Sequence, residues 1–441
     1  MQAVIRSFTH RFSWLLILSL VLTSVFQMQT VQATSDLENG VNSSLKKTVK
    51  YYYKSNRKYD FNTFDWELIG LSAAGEKLAT RKWQDKAGKT AIDTWAGKAK
   101  DIKDAGSLAK LSIGLIHNGY DPTNFNGINL LERIADSQEK NGKMGDDTYT
   151  VFNHVLSILA LEMYEYPYDR KKATQFLLER YDDFNLIDED AFTLNALSLL
   201  EDQDGVEEAK KAILEKLEKE QQDDGSFISY GSASLDSTIQ VLIGLTTIGE
   251  DVFAEPWNKS VEFLLANQMA DGGFQALWQP GSSNAFTTEN ALIALATVRE
   301  GNSLFQVLTD KEKAALKVYV PVVDLSKQVK VYDGLDNFLS GKEVKQAGNT
   351  FSINGKQLLM RVNVEGIAKE EKPVAVMVKV MKGADVVDVA MVESNSSAAQ
   401  NLTAGFTLAS GTYTVEINYW YGLADKPEVA KESITFVASV K

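Results

Sequence analysis

Carboxylates set close together are the chemistry most visible in this chain. Asp146-Asp147, Asp182-Asp183, Asp188-Glu189-Asp190 and Asp223-Asp224 each bring acids side by side. Two carboxyls a few ångströms apart can cleave a glycosidic bond, one as acid and the other as base or nucleophile. The same oxygens suit calcium, but no twelve-residue EF-hand spacing occurs. Such pairs in loops are usually solvated, so they assign no catalytic residue and no metal site by themselves. Cysteine is absent, which removes thiolate nucleophiles, disulfides, iron–sulfur clusters and Cys-ligated zinc. Of the three histidines, His154 is the one placed to act as a base or axial ligand. No motif calls for a cofactor, and none is expected.

A second set of polar residues interrupts apolar surroundings. His154, Asn195, Gln240 and Asn290 each sit in an otherwise apolar helical stretch. Aligning those stretches on their Ala/Val-Leu pairs puts the four at equivalent positions. Unpaired polar groups there are costly. They either bond to neighbouring helices and loops or form a polar ring lining a central cavity. In the second reading Trp278 adds an aromatic wall, and these five are the expected ligand-binding residues.

The elements that would position them repeat. Gln221-Gln-Asp-Asp-Gly-Ser-Phe and Gln268-Met-Ala-Asp-Gly-Gly-Phe each precede an almost wholly apolar helix. A fainter copy is Gln138-Glu-Lys-Asn-Gly-Lys-Met, and a degenerate one begins at Arg180-Tyr-Asp-Asp-Phe. The first two copies are 47 residues apart, and Gln138 precedes Gln221 by 83, nearly two periods. A period in the forties marks a repeat architecture of one supersecondary unit per repeat. Each motif residue has a mechanical role. Gly225 and Gly272 serve turns of positive φ; Asp224 and Asp271 accept backbone amides. Phe227 and Phe274 plug the gap between hairpins, and Gln221 and Gln268 satisfy loose backbone at helix ends. Asp236, Ser237, Thr287 and Thr288 fall where helix caps belong.

Amphipathic helices alternate with apolar ones along the chain. Wet-faced stripes run through Leu45, Val49, Tyr52 and Tyr53, through Val206, Ala209, Ile213 and Leu217, and through Trp257, Val261, Leu264, Leu265 and Gln268. Between them lie six stretches with no wet face, within 66–74, 108–116, 155–161, 194–200, 239–245 and 291–296. A helix without a wet face is buried. Six inner and six outer helices close into a double-walled ring, which leaves no open end to cap. The second outer helix, near 83–98, is poorly patterned.

The Gln-x-x-Asp-Gly-x-Phe loop before an apolar helix resembles the prenyltransferase and squalene-oxidase repeat, from about Leu45 to Val307. Leu111-Ser-Ile-Gly-Leu-Ile-His-Asn-Gly-Tyr-Asp-Pro-Thr-Asn, then Gly127-Ile-Asn-Leu-Leu-Glu, looks like part of secreted bacterial toroids akin to the cobalamin carriers. The resemblance implies an α6/α6 (α/α) toroid of the terpenoid cyclase-like kind. It does not carry over the family's known chemistries. The cyclase acid run Asp-x-Asp-Asp is met only by Asp188-Glu-Asp-Ala, and the prenyltransferase zinc ligand and the thioester both need cysteine. That leaves a toroid used for binding, with an enzyme of other chemistry as the alternative.

From Pro321 the helical period stops. Seven stretches, within 351–353, 358–364, 374–381, 386–392, 406–408, 413–421 and 434–437, alternate or are rich in β-branched residues. About seven strands suggest an immunoglobulin-like β-sandwich. At the other end, Arg6, His10 and Arg11 precede an apolar run from Trp14 to Phe26 and Val31-Gln-Ala33, a secretory leader cut after Ala33. That run is short of the roughly 20 residues of a membrane span, so no span is expected after cleavage. The net charge of −13 argues against nucleic acid as partner. The expected organisation is a leader at 1–33, an α/α toroid at 34–315 and a β-sandwich at 316–441. The expected function is a secreted or cell-wall-associated bacterial protein, Gram-positive in character. It would bind a small hydrophobic or cofactor-like ligand, or an envelope component, in the toroid cavity or an interdomain cleft. The alternative is an extracellular carbohydrate-active or lyase-type enzyme.

Overall fold

Residues 34–54, 64–85, 88–146, 150–181, 186–319, 328–364, 374–394, 401–421 and 428–441 are described by the computed structural model. The expected leader, with Asp147, Asp182 and Asp183, lies outside them. The chain divides into two compact units, Met1–Trp83 with Lys98–Lys317, and Gln84–Gly97 with Val318–Lys441.

The helices are α1 (34–54), α2 (Trp66–Ala73), α3 (Ala91–Lys98), α4 (Ala105–His117), α5 (Leu130–Ala135), α6 (Thr150–Tyr164), α7 (Arg170–Leu178), α8 (Ile187–Leu197), α9 (Val206–Glu220), α10 (Leu235–Thr247), α11 (Asn258–Ala266) and α12 (Ala285–Glu300). In the first unit α2, α4, α6, α8, α10 and α12 are the apolar ones. Each packs on the next, and α12 packs back on α2, so the inner wall closes. The six run parallel, because like ends meet. At the C-terminal ends the Arg299 guanidinium donates to the Ala73 carbonyl (2.6 Å) and the Ser72 hydroxyl to the His117 carbonyl (2.6 Å).

The outer helices bury one stripe each, as amphipathic helices do. On α9 it is Val206, Ala209, Ile213 and Leu217. On α1 the stripe takes in Val41, Leu45 and Tyr52, while Tyr53, expected inside, is 44% exposed. Five outer helices, not six, stand in this unit among the described residues. The weakly patterned α3 falls into the other unit as far as Gly97. It buries only Ala91, Ile92 and Ala96, and its Asp93 accepts the Tyr319 hydroxyl (2.8 Å).

Two short hairpins lead into inner helices: β1 (Phe227–Ser229) with β2 (Ser232–Ser234) before α10, and β3 (Phe274–Ala276) with β4 (Gln279–Asn284) before α12. After α12 come α13 (Asp310–Ala315) and, in the second unit, α14 (Leu335–Ser340).

The second unit holds β5 (Val329–Asp333), β6 (Thr350–Ile353), β7 (Gln357–Asn363), β8 (Val374–Lys382), β9 (Asp385–Glu393), β10 (Asn401–Thr407), β11 (Gly411–Tyr421) and β12 (Glu428–Val440). They form a three-stranded sheet, β10-β7-β5, and a five-stranded one, β6-β12-β11-β8-β9. All pairs are antiparallel except β6 with β12. Inward residues of both sheets share one core, including Val331, Met360 and Phe406 from the first and Val378, Val415 and Phe436 from the second. All seven expected strands are present, and β5 is an eighth. Among the described residues no helix is long and apolar enough to cross a membrane.

Candidate functional site at the mouth of the helix ring

The motif loops join outer helices to inner ones, so they gather at the N-terminal end of the inner ring. Gly225 and Gly272 have φ of 82° and 96°. A side chain at Gly225 would meet the Lys259 carbonyl at 2.2 Å, and one at Gly272 the Lys47 carbonyl at 2.4 Å. Each glycine therefore lets its loop press on the backbone of the next outer helix. The glutamines hold that contact. Gln221 donates to the Pro256 carbonyl (3.1 Å) and the Ser260 hydroxyl (2.8 Å). Gln268 reaches the Ser44 carbonyl (2.9 Å) and Thr48 hydroxyl (3.1 Å) of α1, which joins the last repeat to the first. Asp224 accepts the Ser226 amide (3.0 Å) and Asp271 the Gly273 amide (3.1 Å). Phe227 and Phe274 are fully buried. Their amides donate to Thr238 (3.2 Å) and Thr288 (2.9 Å).

His154 belongs to this outer scaffold. Its Nδ1 accepts the Met144 amide (3.1 Å), as Thr238 and Thr288 accept the plug residues in the later repeats, and its Nε2 faces the Ala173 carbonyl (3.0 Å). Only the neutral ring protonated on Nε2 serves both partners. Burial drives its pKa down to about 4. His154 is thus a buried tether and not a cavity-lining base. His117 likewise faces a backbone carbonyl, that of Leu304 (2.9 Å).

The expected polar ring is half formed. Gln240 and Asn290 are both the sixth residue of their helices, and the Gln240 amide lies 3.4 Å from the Asn290 side-chain oxygen. The sixth residue of α8 is Phe192, so the sequence alignment placed Asn195 one turn too far along. Asn195 is fully buried and donates to the Phe192 carbonyl (3.0 Å). Trp66, Phe192, Gln240, Asn290, Ile243, Ile293 and Phe305 surround a void of only about 10 Å³, barely the room one water needs. Trp278 lines no cavity there; it is 70% exposed.

The mouth itself carries acids on four successive helices. Asp65, Glu67 and Glu289 bring one oxygen each within 4.8 Å of one another, close enough to share a cation. Glu67 is fully buried, and the Lys110 ammonium lies 3.1 Å from Asp65. Asp188 and Asp236 stand in the first turns of α8 and α10. Burial raises the Asp188 carboxyl, with Ser237 pulling the other way. Burial also raises Asp236; Thr287 and Trp278 stand near enough to oppose it, and the charge of Asp188 adds to it. Helix N-termini favour negative charge, so burial outweighs the dipole here. Asp190 turns outward instead, 1% exposed and 2.6 Å from Lys216 of α9. Burial lifts it to about 6 despite that partner. Trp278 stands beside Asp236; two further exposed aromatics are Phe286 (55%), in the first turn of α12, and Tyr230 (89%), at the β1–β2 tip.

The sequence missed this arrangement because it read Asp236 and Thr287 as caps. The caps are Ser234 and Asn284, whose side chains accept the Ser237 and Thr287 amides (both 3.1 Å). The signal available was Ser234 and Asn284 themselves, each three residues before a capped amide.

Residues 178–297 match the family model of the squalene-hopene cyclase C-terminal domain. Among solved structures, a type II terpene cyclase from Scytonema, determined in complex with its substrate geranylgeranyl dihydroxybenzoate, is similar with a TM-score of 0.41 and 11% identity. That match covers 60% of this chain and 99% of that one. No curated protein matches the chain. With the Gln–Gly–Phe hairpins and the closed inner wall, the family match makes the first unit a terpenoid cyclase-like α/α toroid of prenyltransferase/squalene-oxidase-type repeats.

Proposed function

We propose that the toroid is a non-enzymatic binding module whose ligand seats on the mouth, at the N-terminal ends of the inner helices, and not inside the ring. The observation that carries this reading is the close packing among the described residues of the inner helices, where about 10 Å³ remains between Trp66, Phe192, Gln240 and Asn290. A polyprenyl chain does not fit that space. The mouth offers exposed aromatic faces beside carboxylates, which suits a neutral or cationic ligand with flat apolar faces, such as an envelope glycan. Residues 1–33 are read as an export leader, which places the ligand outside the cell. The second unit is read as an immunoglobulin-like spacer or adhesion module, supported by its two sheets over one core.

A thermal-shift screen of the mature chain against envelope oligosaccharides, cobalamin analogues and isoprenoids tests the reading. A glycan should raise the melting temperature, and Trp278→Ala should weaken its binding about tenfold, the worth of one aromatic contact. Stabilisation by an isoprenoid alone, indifferent to Trp278→Ala, would overturn it. The enzyme reading keeps one specific support, the two neighbouring carboxyls raised by burial at Asp188 and Asp236, an arrangement that acid–base catalysts use. Release of cleaved glycan, abolished in Asp236→Asn, would favour it.

A further inference from the structure

We propose that Asp188, Asp236 and the Thr287 hydroxyl form a site for a hard divalent cation, of the calcium type, on the inner rim of the toroid mouth. The three residues lie in the first turns of α8, α10 and α12, and each of these helices packs on the next. Thr287 is fully buried. Its Oγ1, with Asp188 Oδ1 and Asp236 Oδ1, is a buried oxygen that closes no well-formed hydrogen bond among the described residues, and the Thr287 hydroxyl stands beside the Asp236 carboxyl. An unmet buried oxygen is costly, and three of them on one rim suit a shared cation. Among the described residues no basic side chain acts on either carboxyl, whereas Asp190, on another face of α8, has Lys216. Two carboxylates and a hydroxyl are oxygen ligands only, the set that calcium and magnesium take and softer metals do not. Waters or hydroxyls of a bound ligand would complete the coordination.

This deepens the mouth-binding reading and rests on it. Trp278 stands beside Asp236, so terbium bound there should be sensitised through the indole. The test is terbium luminescence of the full mature chain, with calcium as competitor and calorimetry as a second readout. Saturable emission, displaced by calcium and lowered at least tenfold in affinity by Asp188→Asn and by Asp236→Asn separately, is the expected result. Thr287→Val should weaken binding less, and Trp278→Phe should lower the emission at saturation. Absence of calcium-competed binding by both readouts overturns the inference, as does binding that survives both Asn variants. A signal lost in Asp65→Asn but kept in Asp236→Asn also overturns it, by moving the ion to the neighbouring cluster. If no cation binds but a glycan still stabilises the chain through Trp278, the cation inference falls and the mouth reading stands.

Discussion

At one end of the toroid, two rims lie side by side and treat their polar groups in opposite ways. On the outer rim every motif group is met: Gln221 and Gln268 bridge to the next outer helix, Asp224 and Asp271 hold turn amides, and His154 serves two backbone partners. On the inner rim, buried oxygens of Asp188, Asp236 and Thr287 go unmet. The outer groups recur in the copies at Gln138, Gln221 and Gln268, because each repeat must dock on the next. The inner carboxyls recur only once, each second in its helix at Asp188 and Asp236, and unmet they cost stability where they stand. A polar group met by its neighbours marks scaffold; an unmet one marks the place where a ligand belongs.

The largest effect should come from the outer rim. Gly272→Val puts a β-branched residue at φ 96° with its Cβ 2.4 Å from the Lys47 carbonyl. Backbone strain and overpacking together should cost about 3 kcal/mol or more. Chemical denaturation should show the variant largely unfolded, or with a midpoint far below wild type. Because Gly272 joins the last repeat to α1, the loss should spread round the ring and not stay local. A midpoint within error of wild type would mean the repeats are not docked through these glycines.

The outer rim was also the legible part. Gly, Gln and Phe at fixed spacing declare a turn, a bridge and a plug, and helices with no polar face declare burial. The inner rim was not legible because Asp236 and Thr287 resemble caps in sequence, and only the structure assigns capping to Ser234 and Asn284. His154 misled for a related reason. A histidine among apolar residues looks like a cavity group, yet here it replaces the threonine that tethers the plug in later repeats. The helix near 83–98 was expected, but not its place in the other unit, because eight residues with three buried alanine or isoleucine side chains carry too little pattern. The extra strand β5 is only five residues, Val-Lys-Val-Tyr-Asp, too short to separate from the tract before it.

A middle-sized effect belongs to His154, with a definite pH window. Its pKa of about 4 lies below the ordinary 6.5, so the unfolded chain binds the proton more readily. The stability this gives is complete above pH 6.5 and is lost as pH falls through 4, amounting to about 3 kcal/mol. His154→Ala leaves the Met144 amide and the Ala173 carbonyl unmet, at about 1–3 kcal/mol each. Denaturation at pH 7 should show that loss, and the variant should lack this part of the acid slope. A variant as stable as wild type at pH 7 would return His154 to the cavity.

The smallest effect on stability, and the one that separates the rims most sharply, is expected for Asp236→Asn. Burial holds the Asp236 carboxyl above its ordinary range, with the Asp188 charge adding to the shift. For a carboxyl raised in this way the folded chain holds the proton more tightly than the unfolded one. The favourable contribution is present below the ordinary carboxylate pKa and is lost as pH rises through the folded value, opposite in sign to His154. Asparagine has nearly the same shape and no charge to bury. At pH 7 the variant should therefore melt at or above the wild-type temperature in the absence of any cation, and its stability should decline less between pH 4 and pH 7. Thermal melts in chelator across that range make the measurement. A clear drop at pH 7 would mean that the Asp236 charge is already compensated within the fold, and the inner rim would then be scaffold like the outer one. If the melting temperature holds, the carboxylate is retained at a cost to the fold, as expected of a group that meets its partner only when a ligand arrives.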